Sequence, residues 1–126
     1  MESIYSTYIS EDLARKMLNV GFPLYKYGVG GYDGKPSFFT VDENNPMWET
    51  CDRFQIPTYA EALDMFLDKD IIISIEPQED CSIDEIEFSF TIYYKTNHRF
   101  VSGACKSFEE TLQYAVKLVI LSQNKI

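Results

Sequence analysis

Residues 85–120, EIEFSFTIYYKTNHRFVSGACKSFEETLQYAVKLVI, carry the pattern that decides the fold. Ile86, Phe88, Phe90 and Ile92 fall on one side of an extended chain, and Glu87, Ser89, Thr91 and Tyr93 on the other. That alternation predicts a strand with one face on a core and one facing water. Thr96-Asn97 supplies a turn, and Arg99 to Ala104 returns as a second strand. Ser107-Phe108-Glu109-Glu110 is then a capping box, in which the serine hydroxyl closes a free amide and a glutamate reaches back. Behind it Phe108, Leu112, Ala115, Val116, Val119 and Ile120 recur at helical spacing. Two antiparallel strands followed by an amphipathic helix predict a helix laid across a sheet.

The same signals extend upstream. Thr58-Tyr59-Ala60-Glu61 is a second capping box, opening a helix over about Tyr59 to Leu67 that buries Ala62, Leu63, Phe66 and Leu67. Ile71 to Ile75 is nearly all β-branched, which predicts a strand central in the sheet or covered on both faces. At the start of the chain Ser10 caps a helix whose first turn holds Glu11 and Asp12 and whose apolar face is Leu13, Ala14, Met17, Leu18 and Val20. Gly21 stops that helix, Phe22 folds back on its last turn in a Schellman-type closure, and Pro23 prevents continuation. Leu24 to Val29 and Ser37 to Val41 read as a hairpin joined by a glycine-rich connection, and 41–57 as a long irregular stretch containing the single tryptophan, Trp48. The expectation is one α+β domain over 1–126, a mainly antiparallel sheet packed by helices in the order α-β-β-α-β-β-β-α.

The composition supports a folded, water-soluble chain. Hydrophobic residues at 45%, with nine Tyr and nine Phe, exceed what disordered chains carry. Neither a secretory leader nor about 18 consecutive apolar residues is present, so the reading is cytoplasmic, with no membrane partner. Cys51, Cys81 and Cys105 are odd in number and widely spaced, which reads as three reduced thiols. Charge is uneven: residues 41–90 hold fourteen acids against Arg53 and Lys69, a local net charge of −12 within a total of −9. Such a field repels phosphate backbones, so no duplex nucleic acid is expected as a partner, and it attracts basic proteins if the acids share a face. In that case Asp42, Glu43, Glu49, Asp52, Glu76, Glu79, Asp80, Asp84 and Glu85 could imitate nucleic acid.

No catalytic constellation is legible. His98 is the single histidine and stands beside a turn with no oriented nucleophile near it. GVGGYDG lacks the spacing, the strand-to-helix transition and the Lys-Ser/Thr pair of a phosphate loop. HExxH, EF-hand and clustered Cys/His patterns are absent, so no catalytic residue, cofactor or metal is assigned.

Three resemblances bear on function. The order α-β-β-β-α over the last part resembles a double-stranded-RNA-binding domain, but the segment EPQEDCSIDEIE, where such domains need bases, holds six acids. The hairpin followed by SFEETL resembles HicB-like antitoxin domains, without their Pro-Gly-Cys segment. The GF after the first helix, the Tyr-rich strand, Trp48, the Pro57-Thr58, Ala62-Leu63 and Phe66-Leu67 pairs and Ser107-Phe108-Glu109-Glu110 together resemble small uncharacterised proteins of phages and prophages of gut bacteria. That resemblance implies a mobile genetic element and no particular activity. The expectation is a non-enzymatic macromolecule-binding protein acting on a protein partner through Trp48, Glu49, Asp52, Tyr93 and Tyr94. A structural, self-associating phage component and a carboxylate enzyme using a divalent ion stay open as alternatives, and the oligomeric state is not set by the sequence.

Overall fold

A computed structural model of the chain describes residues 3–40, 51–79 and 86–123. The fold is α+β, with helices α1 (Glu11–Asn19), α2 (Tyr59–Asp68) and α3 (Phe108–Ser122) and strands β1 (Ser37–Thr40), β2 (Asp52–Gln55), β3 (Ile71–Glu79), β4 (Ile86–Tyr94) and β5 (Arg99–Cys105), in the expected order. The chain divides into two compact units, the second being Ala60–Gln123.

In the first unit α1 is delimited as its sequence dictates. The Ser10 hydroxyl accepts from the Leu13 amide at 3.2 Å. Past the C-terminus Gly21 takes φ 95°, and the Gly21 and Phe22 amides donate to the Leu18 and Met17 carbonyls, the paired bonds of a Schellman closure. Phe22, Ala14 and Met17 are buried. Arg15 ties α1 to the sheet: its Nη1 donates to the Phe39 carbonyl at 3.0 Å and its guanidinium lies over the Phe38 ring.

The sheet here differs from the expected hairpin. β1 pairs antiparallel with β2, from Ser37 opposite Gln55 to Thr40 opposite Asp52, so a strand forms inside the stretch read as irregular. Leu24 to Val29 does not form a strand. It lies on the other edge of β2 through two bonds, Tyr27 N–H to the Arg53 carbonyl and Gln55 N–H to the Tyr25 carbonyl. Pro23 before it, Gly28 within it and Gly30 and Gly31 after it leave too little regular chain to extend that ladder.

The second unit is a three-stranded antiparallel sheet, order β3-β4-β5, with α3 packed on all three strands. β4 is therefore central, and β3 is an edge strand, contrary to its β-branched composition. Its Pro77 lacks an amide donor, which an edge tolerates and a central strand does not, and Ile72 is 40% exposed. β3 runs on to Glu79, so the first four residues of the acidic segment EPQEDCSIDEIE are strand.

Helix and strand match in length. Phe88 meets Phe108 edge-on at 5.8 Å, Phe90 meets Tyr114 at 5.7 Å, and the Tyr94 hydroxyl bonds Ser122 Oγ at 2.8 Å. From Phe88 to Tyr94 a strand rises about 20 Å, and from Phe108 to Ser122 a helix rises about 21 Å, so contact is kept end to end. The Ser107 cap forms, accepting from the Glu110 amide at 3.1 Å. All of the expected α3 core residues are buried except Phe108, which is half-buried. In α2, Ala62 and Phe66 are buried, whereas Leu67 is 56% exposed.

Candidate binding surfaces

The residues singled out from sequence fall partly in each unit and partly outside the described residues. Trp48 and Glu49 lie outside the described residues, as do Asp42, Glu43, Asp80, Asp84 and Glu85 of the acidic segment. Asp52 opens β2 in the first unit and is paired with Lys26 at 3.0 Å. Tyr93 and Tyr94, expected together on the outward side, stand on opposite faces of β4. Tyr94 reaches Ser122 of α3, while Tyr93 points away from the helix.

That outward face is open. The register places Ile72, Tyr93 and Phe100 in one row across β3, β4 and β5, and Ser74, Thr91 and Ser102 in the next. Tyr93 and Phe100 are stacked, their rings 4.6 Å apart and 19° from parallel, and Phe100 is 66% exposed. The Tyr93 hydroxyl lies 3.3 Å from His98 Nδ1. His98 holds a left-handed φ of 54° and closes the short 3-10 turn Lys95–Asn97, which sets the register that brings Phe100 beside Tyr93. The stack joins residues seven apart across a hairpin, so the alternation signalled Tyr93, but Phe100 was missed because its strand carries no strong pattern.

The first unit holds a groove of about 720 Å³, lined by Lys26 to Gly31 with Phe39, Cys51, Asp52 and Arg53. Arg53 is among its lining residues, and its guanidinium lies 4.3 Å from the Tyr32 ring centre and 4.4 Å from that of Phe39. Each such contact favours the cation through the ring quadrupole. The Arg53 Nε is buried and has no hydrogen-bond partner, and no ion pair among the described residues engages Arg53. Beside the groove the Tyr27 hydroxyl donates to Asp33, which also accepts from the Lys35 amide at 3.1 Å. Burial, reinforced by the Asp33 carboxylate, pushes the Tyr27 hydroxyl up to about 12. The bond from Tyr27 holds the Asp33 carboxyl below its ordinary range. The pair fixes the glycine-rich connection, where Gly30 and Gly34 take φ 77° and 83°, on its buried side.

Among the described residues no group of three or more His, Cys, Asp and Glu side chains could hold a metal ion, and no helix is long and apolar enough to cross a membrane. No family model, curated protein or solved structure matches this chain.

Proposed function

We propose that this chain is a non-enzymatic binding protein whose partner is another protein, received on the open face of the sheet of the second unit. The observation that carries the reading is the row Ile72, Tyr93 and Phe100, in which a half-buried tyrosine stacks on an exposed phenylalanine beside an exposed isoleucine, on a face that no described helix covers. Aromatic side chains are enriched in protein interfaces and at their energetic centres, because they bury much area at little cost in rotamer freedom. The neighbouring row of Ser74, Thr91 and Ser102 supplies hydroxyl groups for hydrogen bonds at the rim. The sequence resemblance supports a mobile genetic element as the setting and the host cytoplasm as the place of action. The test is capture from host lysate by immobilised chain. Proteins retained by the wild type should be lost with Phe100→Ser and kept with Leu121→Ser, which removes an exposed apolar side chain from α3 instead. Equal retention by both variants would contradict the reading.

A second reading, self-association, is favoured by the edge of β5. Among the described residues that strand pairs with β4 alone, and unlike β3 it holds no proline to blunt its free edge. Light scattering that finds a closed oligomer, dispersed by a proline at Ser102, would favour this reading over a host-directed binder.

A further inference from the structure

We propose that the groove around Arg53 in the first unit is a binding site for a small organic carboxylate, an aliphatic or aromatic body carrying one anionic group. The charges in the groove set the valence of the ligand. Lys26 and Asp52 neutralise each other across 3.0 Å, which leaves the single positive charge of Arg53 in a chain whose net charge is −9. One uncompensated cation matches a monoanion.

The way Arg53 is held selects the shape of that anion. Tyr32 and Phe39 cover the guanidinium, so its orientation is fixed before any ligand arrives, and its Nε is withdrawn from solvent. The donors left to the groove are the Nη groups in the guanidinium plane, which suit the two oxygens of a planar carboxylate in a fork. A phosphate site would call for converging backbone amides or further cations. In this groove the Gly31 amide is already bonded to the Gly28 carbonyl at 2.9 Å and Lys26 is committed to Asp52, so neither is offered to a phosphate. The rest of the lining, with the Phe39 ring and Val29, is apolar and suits a hydrocarbon body. The volume of about 720 Å³ falls inside the usual range for small-molecule sites, roughly 300 to 1,000 Å³.

The test is an amide-resolved NMR titration of the full chain with phenylacetate, phenylacetamide and phenyl phosphate. Phenylacetate should shift the amides of Gly28, Gly31 and Arg53 in a saturable manner and bind at least about tenfold more tightly than either other compound. Arg53→Gln should lose about tenfold or more of that affinity, and Arg53→Lys, which keeps the charge but not the fork, should also bind more weakly. The amide and phosphate comparisons use the wild-type chain, so they decide the matter even if a variant fails to fold. Equal binding of phenylacetamide would show an apolar groove indifferent to charge. Tighter binding of phenyl phosphate, or undisturbed groove amides at millimolar phenylacetate, would equally overturn the proposal.

Discussion

Gly103→Ala tests how β5 lies against the core. Gly103 is opposite Phe90 in the ladder, and a methyl group added there would stand 2.8 Å from both Cε1 and Cζ of the Phe90 ring. Carbon atoms in contact prefer about 3.5 to 4.0 Å, so the ring or the strand must give by about an ångström. The ring has little room: it is 1% exposed and meets Tyr114 of α3 edge-on. Overpacking of this kind costs about 1 to 3 kcal/mol, and the reduced freedom of an unfolded chain with alanine offsets about 0.4 to 1 kcal/mol of it. The net expectation is a loss of about 1 to 2 kcal/mol in urea unfolding followed by far-ultraviolet circular dichroism. The mechanism predicts more than the loss. In a Phe90→Leu background the clash is relieved, so the double variant should be more stable than the sum of the two single effects by about 1 kcal/mol. Additivity within about 0.5 kcal/mol, or a neutral Gly103→Ala, would refute the packing described here.

Other outcomes follow from the same structure. Phe90→Ala should cost about 3 to 5 kcal/mol in the same unfolding assay, because a fully buried ring leaves a cavity under α3. Ser107→Ala should cost about 1 kcal/mol by removing the acceptor of the Glu110 amide, and Ser107→Asp should restore most of it. The Tyr27–Asp33 pair predicts two pH windows in thermal unfolding. Asp33 is held low by the Tyr27 bond, so its contribution is full above the ordinary carboxylate range and is lost as pH falls through its lowered value. Tyr27 is raised from 10 to about 12, so its contribution is full below pH 10 and is lost as pH rises toward 12. Tyr27→Phe should flatten both windows, and an unchanged profile would show that the pair does not couple to folding. Duplex RNA should show no measurable binding at physiological salt, and salt-sensitive micromolar binding in a fluorescence anisotropy titration would overturn the argument from charge.

The sequence made the second unit legible because its signals are local and mutually consistent. Period-two alternation in β4, a cap at Ser107 and helical spacing behind it each point to the same packing. α1 was legible for the same reason, from Ser10 to the Gly21-Phe22 closure. β2 was not, because Asp52-Arg53-Phe54-Gln55 is four residues long, mixes charges and holds no β-branched side chain. Its strand character comes from its neighbours, β1 on one edge and the Tyr25–Tyr27 segment on the other. The reverse holds for β3, whose run of isoleucines suggested a central position that Pro77 at an edge contradicts. The Arg53 clamp draws on Tyr32, Phe39 and Arg53 from three separate segments, and no spacing rule could join them. Tyr93 was reachable from the alternation alone, but the stack that makes it a candidate surface needed the register of β5.

The most direct test of the protein-binding role places a photoreactive amino acid on each side of the second unit, one at Ser102 on the open face and one at Gln113 on the solvent side of α3. Irradiation in host lysate should join one defined protein to the chain from position 102 and none from position 113, and Phe100→Ser should abolish the product. Crosslinks of equal yield from both positions, or a product from 102 that survives Phe100→Ser, would contradict the claim that the aromatic row of this sheet is where the partner binds.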